Sequence, residues 1–287
     1  MKIGIVGSIN VDFVTVAKRN PSVGETIVGE TFRVVMGGKG ANVAIAIGRL
    51  GGSVTMFGAV GDDDFGKKAI VNFKENNVGV DTIVALKNES TGSASITVAE
   101  GNNTIIVIGG ANDKVDEKFI KSFEKQLLAC DIIGTQLEID PSAALWLSRF
   151  ARKNGKKFVF NRSPDKKYKP EIIDNADILI VNEIEINELG GEGALLKHPN
   201  KLILTEGANG VRFYDGNKMV HVPAPKVKVV DTVGAGDTFM GALIVKMSEG
   251  ATLFDAIKFA AVAASLKCTK LGAQTAMPTR AEVEAKI

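Results

Sequence analysis

Short, unbroken apolar runs alternate along this chain with longer segments of helical periodicity, and that alternation leaves few folds open. Lys2–Gly7, Val54–Ala59, Ile132–Thr135, Phe158–Phe160, Ile178–Val181 and Leu202–Thr205 read as strands. Ala41–Leu50, Gly66–Asn77, Asp116–Leu128, Ser142–Lys153 and Glu183–Leu189 read as the helices between them. A strand apolar at every position must be covered on both faces, whereas a half-exposed strand alternates. The pattern predicts an α/β fold, a doubly wound and mostly parallel sheet flanked by helices. Near the end, Ala235–Met247 and Leu253–Leu266 are apolar on almost every side and read as buried helices.

Two stretches break this rhythm. Asp12–Val35 and Thr91–Ile108 carry β-type alternation with no helix between strands, and Glu100-Gly101-Asn102-Asn103 has the composition of a hairpin turn. Val14, Val16, Ile96 and Val98 alternate there with polar or small residues, as in a sheet with one apolar face. No repeat or linker divides the chain. The expected organisation is a single domain over 1–287 with a small β lid from about 12–35 and 91–108.

The bulk properties exclude several classes. A net charge of +2, from 35 basic and 33 acidic residues, provides no basic field for nucleic acid or a membrane surface. No apolar stretch approaches the roughly 18 residues that cross a bilayer. The opening MKIGIVGSIN reads as a first strand rather than a secretory signal. Cys130 and Cys268 are far apart in apolar surroundings, which predicts free thiols in a reducing, cytoplasmic setting. With two histidines and two scattered cysteines there is no zinc-type ligand pattern, and His198 and His221 read as structural or surface residues. The stretch Lys166-Lys167-Tyr168-Lys169 reads as a solvated loop.

Glycines cluster where chemistry is expected. Asp231-Thr232-Val233-Gly234-Ala235-Gly236-Asp237 precedes a long apolar helix. Such a turn brings backbone N–H groups close to a ligand, and a helix start favours negative charge. Phosphate oxygens suit that position, and Asp237 in the first helical turn can take a proton from a hydroxyl. The competing reading is that Asp237 only complements the helix dipole while the glycines only permit tight packing. Gly37-Gly38-Lys39-Gly40-Ala41-Asn42 opens another helix. It is not a Walker A loop, because Gly40 stands where Ser or Thr is needed and Arg33 replaces the first glycine. A dinucleotide fingerprint is also absent after the first strand. Gly7-Ser8-Ile9-Asn10-Val11-Asp12 lies beyond the first strand's carboxyl end, where open α/β sheets bind ligands. Glu138, Asn182-Glu183-Ile184-Glu185 and Thr205-Glu206-Gly207-Ala208-Asn209-Gly210 follow three further strands. Singly these are helix caps or turns; together they line one edge of the sheet.

These residues resemble the ribokinase family of carbohydrate kinases, also called the PfkB family, over nearly the whole chain. The resemblance rests on Gly37–Asn42 and Asp231–Asp237 in order and spacing, with Gly7–Asp12, Gln136-Leu137-Glu138 and Gly272-Ala273-Gln274 pointing to its ribose-phosphorylating branch. It implies an ATP-dependent kinase acting on the primary hydroxyl of a pentose, D-ribose first. Asn10, Asp12, Gly38, Lys39, Asn42 and Glu138 would hold the sugar and Asp237 would deprotonate it. The Gly234, Ala235 and Gly236 amides would form the anion hole. Asn182, Thr205, Gly207, Gly210 and Gly236 would serve the nucleotide, with Glu185 reaching Mg²⁺ through water. A potassium ion would be held by Asp231, the carbonyls of Val233, Lys267 and Lys270, and Gly272. The resemblance also implies a homodimer joined through the lid. The chain departs from the family pattern at Asn161-Arg162-Ser163-Pro164, usually Asn-Pro-Ala-Pro, in a short 182–205 segment, and at Ala276, where a hydroxyl is common. The rivals are a kinase of another sugar, a sugar phosphate or a nucleoside on the same fold, and a non-catalytic sugar-responsive regulator.

Overall fold

The computed structural model describes residues 1–287. Thirteen strands form two sheets: β1 Lys2–Val6, β2 Asn10–Val16, β3 Thr31–Gly37, β4 Ser53–Gly61, β5 Val78–Leu86, β6 Gly92–Ala99, β7 Asn102–Ile108, β8 Ile132–Thr135, β9 Lys157–Asn161, β10 Ile178–Asn182, β11 Leu202–Thr205, β12 Val211–Asp215 and β13 Lys218–Val222. The large sheet runs β13-β12-β11-β10-β9-β8-β1-β4-β5. It is parallel from β11 to β5, and the β12–β13 hairpin closes one edge antiparallel. The α/β fold expected from the apolar runs is therefore present.

Two apolar layers cover the sheet. On one face, helices Lys39–Arg49, Ala235–Ser248 and Leu253–Lys267 pack with Ile3, Ile5, Val54 and Met56 in a single core. The first two cross closely, since a Cβ on Gly241 would lie 2.7 Å from Ala46 Cβ. The other face packs helix Pro141–Lys153 with shorter helices against Val6, Phe57, Ile133 and Phe158. Full burial of an aliphatic side chain contributes about 1.5–3 kcal/mol before conformational entropy is counted, so the continuous apolar strands are the main stabilising feature.

Some elements differ from expectation. Asp116–Leu128 is two helices, Glu117–Lys121 and Glu124–Leu128. Ser122 Oγ donates to the Phe119 carbonyl at 2.6 Å, and Phe123 turns into the core against Phe57 and Phe119. The hydroxyl thus competes with the backbone ladder where the chain must bend. The segment Lys166–Lys169 is exposed at its lysines, but Tyr168 turns inward against Phe160 and under the Arg162 guanidinium. Both cysteines are free; Cys130 is buried and Cys268 half-buried. No helix is long and apolar enough to cross a membrane.

The small sheet runs β3-β2-β6-β7, with β2 and β6 parallel and the outer pairs antiparallel. Register puts Asp12, Val14, Val16, Ala94, Ile96 and Val98 on one face. Phe13, on the other face, stacks on Phe32 and meets Phe65 of helix Asp64–Glu75 edge-on at 5.3 Å, which anchors this sheet to the large one.

Strand order fixes where a ligand fits. From β1 the chain builds outward to β4 and β5, and β8 to β11 then extend from the other side of β1. Loops leaving β1 and β8 diverge, and open sheets bind ligands in the crevice at such a switch point.

Candidate active site

The crevice is built from loops after β1 and β8 and from two helix starts. Gly38 adopts φ +89° and ends the turn that aims helix Lys39–Arg49 at β1. Gly40 touches the end of β1, where a Cβ would lie 2.6 Å from Gly7 Cα, so no larger residue fits without moving backbone. This contact brings the helix amides to Glu138 after β8. Glu138 Oε2 accepts from the Lys39 amide at 2.9 Å and from Ser8 Oγ at 2.6 Å. Glu138 and Asp12 lie close enough for their charges to interact. Burial first, and Glu138 second, push the Asp12 carboxyl up to about 6. Asn10 is buried and its Oδ1 accepts from Asn112 Nδ2 at 2.7 Å; Asn112 also bonds the Ile9 amide and carbonyl.

Asp237 lies opposite, in the first turn of helix Ala235–Ser248, and is only 5% exposed. Burial raises its carboxyl above the usual carboxylate range, against the downward pull of the Lys39 ammonium and of the Asn42 amide, which donates to Oδ2 at 2.8 Å. Asn42 is itself fixed, because Gln274 Nε2 donates to its Oδ1 at 3.0 Å and Asn72 Nδ2 donates to Gln274 Oε1 at 2.7 Å. A chain of three amides thus ends on the carboxylate. Gly234 caps the helix at φ +80°, in the left-handed region; Gly234 and Gly236 line a cavity, whereas the Ala235 amide, expected in the anion hole, donates to the Thr232 carbonyl at 3.1 Å.

Two cavities meet at that turn. One, of about 470 Å³, is lined by Lys39, Asn182, Glu185, Gly234 and Asp237. The other, of about 420 Å³, is apolar, and Val211, Phe239 and Ala264 form part of its wall. Thr205, Gly207, Thr232 and Gly236 line both, and Gly210 lines the apolar one. Asn182 Oδ1 accepts from the Ile184 and Glu185 amides at 2.9 Å, while Glu185 Oε2 accepts from the Asn182 amide at 3.0 Å. Glu185 at the wall of this cavity suits Mg²⁺, which keeps most of its water and takes few protein ligands. No cluster of three His, Cys, Asp or Glu residues is present to hold a metal alone.

Asp231, before the turn, accepts the Val233 amide on Oδ1 and the Gly272 amide on Oδ2. The Lys267 side chain, fully buried, donates to the Asp231 carbonyl at 2.7 Å. Asp231, one of the residues expected to hold potassium, therefore already lies against an ammonium. A second departure is Ala276, which is buried without a hydroxyl. Potassium does not fit this arrangement as the resemblance implies it. Arg162, which stands where the family pattern has proline, is 2% exposed and turned to Glu188 and Asp165. Its neighbours Asn161 and Ser163 line the crevice instead.

Sequence reasoning brought together Lys39, Asn42, Glu138 and Asp237 without showing what holds them. It assigned no role to Ser8, Asn72, Asn112 or Gln274, because amides and hydroxyls scattered over the chain leave no local pattern.

A buried carboxylate beside an anion-accepting turn, with a polar crevice on one side and an apolar slot on the other, has the parts of a phosphotransferase acting on a small polyol. The model of the pfkB family carbohydrate kinases matches residues 2–280, and the chain belongs to that family. It is 41% identical to the ribokinase of Lactococcus lactis subsp. lactis over 291 residues, covering 100% of this chain and 97% of the relative. It is 40% identical to that of Bacillus subtilis, covering 98% and 97%. Among solved structures, Arabidopsis thaliana ribokinase complexed with ribose and ATP superposes with a TM-score of 0.92 at 32% identity, covering 99% of this chain and 97% of that one.

Proposed function

We propose that this chain is an ATP-dependent kinase that transfers the γ-phosphoryl group to the primary hydroxyl of D-ribose, giving ribose 5-phosphate. The observation that carries the reading is Asp237, buried and one residue beyond the Gly234–Gly236 turn, where the two cavities meet. Full-length similarity to ribokinases, one of them complexed with ribose and ATP, supports the choice of sugar and nucleotide. In this reading 1–287 is one domain, and the small sheet is a lid that excludes water, the competing phosphoryl acceptor.

Asp12, Asn10, Glu138, Lys39, Asn42 and the Gly38 backbone hold the sugar hydroxyls. Asp237 receives the proton of the primary hydroxyl, and its raised affinity for protons favours that transfer. Phosphoryl transfer through a loose transition state needs alignment and charge neutralisation above all. The Gly234 and Gly236 amides stabilise the transferring group, while the adenine lies in the apolar slot beside Gly207 and Gly210. Asn182, Thr205 and Glu185 serve the phosphates, Glu185 through the water shell of Mg²⁺, which neutralises charge when bound. The Arg162 guanidinium is turned to Glu188 and Asp165, so a phosphorylated sugar gains no partner from it. Steady-state rates with ATP and a panel of pentoses, hexoses, sugar phosphates and nucleosides test the reading. D-Ribose is expected to give the highest kcat/KM, and a preference for a nucleoside or sugar phosphate would contradict it.

The lid also carries the case for a homodimer. Phe32, Val34 and the whole run Ile105–Ile108 are exposed, Ile106 at 69%. A four-stranded sheet with open edges and apolar exposed strands invites a second copy. Ile106→Asp is expected to give monomers by light scattering and a higher KM for sugar. Monomeric wild-type protein at micromolar concentration would contradict the dimer.

A further inference from the structure

Lys267 ends helix Leu253–Lys267, and no part of its side chain is exposed. Buried ammonium groups require partners, and every partner here belongs to Asp231. Nζ donates to the Asp231 carbonyl at 2.7 Å and lies 3.8 Å from Oδ2. The same carboxylate ties two loops together, through the Val233 amide at 2.9 Å and the Gly272 amide at 2.8 Å. Val233 immediately precedes the Gly234–Gly236 turn. The ammonium therefore braces, through one residue, the loop that leads into the anion-accepting amides.

Its charge is also felt across the turn. Lys267 favours the ionised form of Asp237, as Lys39 does from the crevice side. A fixed positive charge behind backbone amides strengthens their hold on a developing anion, most of all where water is excluded. Potassium would serve by the same physics, as a cation held by carbonyl and carboxylate oxygens. Ammonium and potassium ions are similar in size and accept similar oxygen surroundings, but two cations beside one Asp231 would repel each other. Ala276 removes a further oxygen from the ring that a free ion would need.

We propose that the Lys267 ammonium is the resident monovalent cation of this site, so that the enzyme works without potassium. Only the activity measurement rests on the kinase reading given above. Thallium NMR and thermal unfolding test cation binding directly, so a failure of the sugar assignment leaves them intact.

The experiment compares wild-type protein and Lys267→Met in potassium, sodium and tetramethylammonium chloride at equal ionic strength. The wild type is expected to show no saturable thallium site, the same melting temperature in all three salts, and rates equal within about twofold. Lys267→Met is expected to lose about tenfold or more in rate in sodium, and to regain rate and melting temperature in potassium. A saturable thallium site in the wild type, or a potassium-specific rise in its melting temperature, would overturn the proposal. So would a folded Lys267→Met with full rate and no response to potassium. If Lys267→Met folds in none of the salts, the wild-type thallium titration decides alone.

Discussion

Asp237→Asn is expected to lower kcat by about 10²–10⁴-fold, the usual cost of losing a general base. The substitution keeps the size of the side chain and its place in the first turn of helix Ala235–Ser248. Asn42 Nδ2, which donates to Asp237 Oδ2 at 2.8 Å, then faces either an amide oxygen or an amide NH₂. The acceptor form preserves this contact, so the crevice keeps its shape and sugar binding is retained. What is lost is the proton acceptor. Burial makes that acceptor stronger than a surface aspartate, so the acid limb of the wild-type rate lies above the range of an ordinary carboxylate. Stopped-flow or steady-state rates with saturating sugar and ATP check the claim. A variant that keeps more than about a tenth of kcat would remove Asp237 from the role of base.

Asp12→Ala is expected to weaken sugar binding at least about tenfold with little effect on ATP, because a charge-assisted hydrogen bond contributes about 1.5–3 kcal/mol. Asp12 lies on the lid face that carries Val14 and Val16, with its carboxylate against Gly37, where any Cβ would collide with it. Its proton affinity adds a second readout. Burial and Glu138 raise Asp12 to about 6, so the carboxylate is charged above that pH and protonated below it. Protonation removes a hydroxyl acceptor. Sugar affinity measured by calorimetry should therefore fall as pH drops through about 6. Asp12→Asn should lack that inflection. Unchanged affinity in Asp12→Ala, or a flat pH profile in the wild type, would contradict the assignment.

The parallel core was legible because its strands are apolar at every position; β8 and β11 have the bounds that their apolar runs suggested. β5 was not, because Val78–Leu86 is an edge strand with Gly79 and Asp81 turned to solvent. β12 and β13 were missed for the same reason, being a partly exposed hairpin at the opposite edge. Local steric demands made the glycine turns stand out, since φ +89° at Gly38 and +80° at Gly234 suit few other residues. The amide chain Asn72–Gln274–Asn42 left no such trace, because its members lie up to 232 residues apart. Lys267 is the clearest case of partial legibility. Resemblance pointed to its carbonyl, and only the packing of helix Leu253–Lys267 against the Asp231 loop revealed where its side chain ends.

The most direct test of the central claim is the identity of the product. Purified protein with Mg²⁺, ATP and ¹³C-labelled D-ribose, followed by ³¹P and ¹³C NMR, should show one ADP formed per phosphorylated sugar, with phosphorus coupling at C5. Phosphate at another carbon, ADP release without a sugar phosphate, or turnover only with a nucleoside or a sugar phosphate would contradict the account.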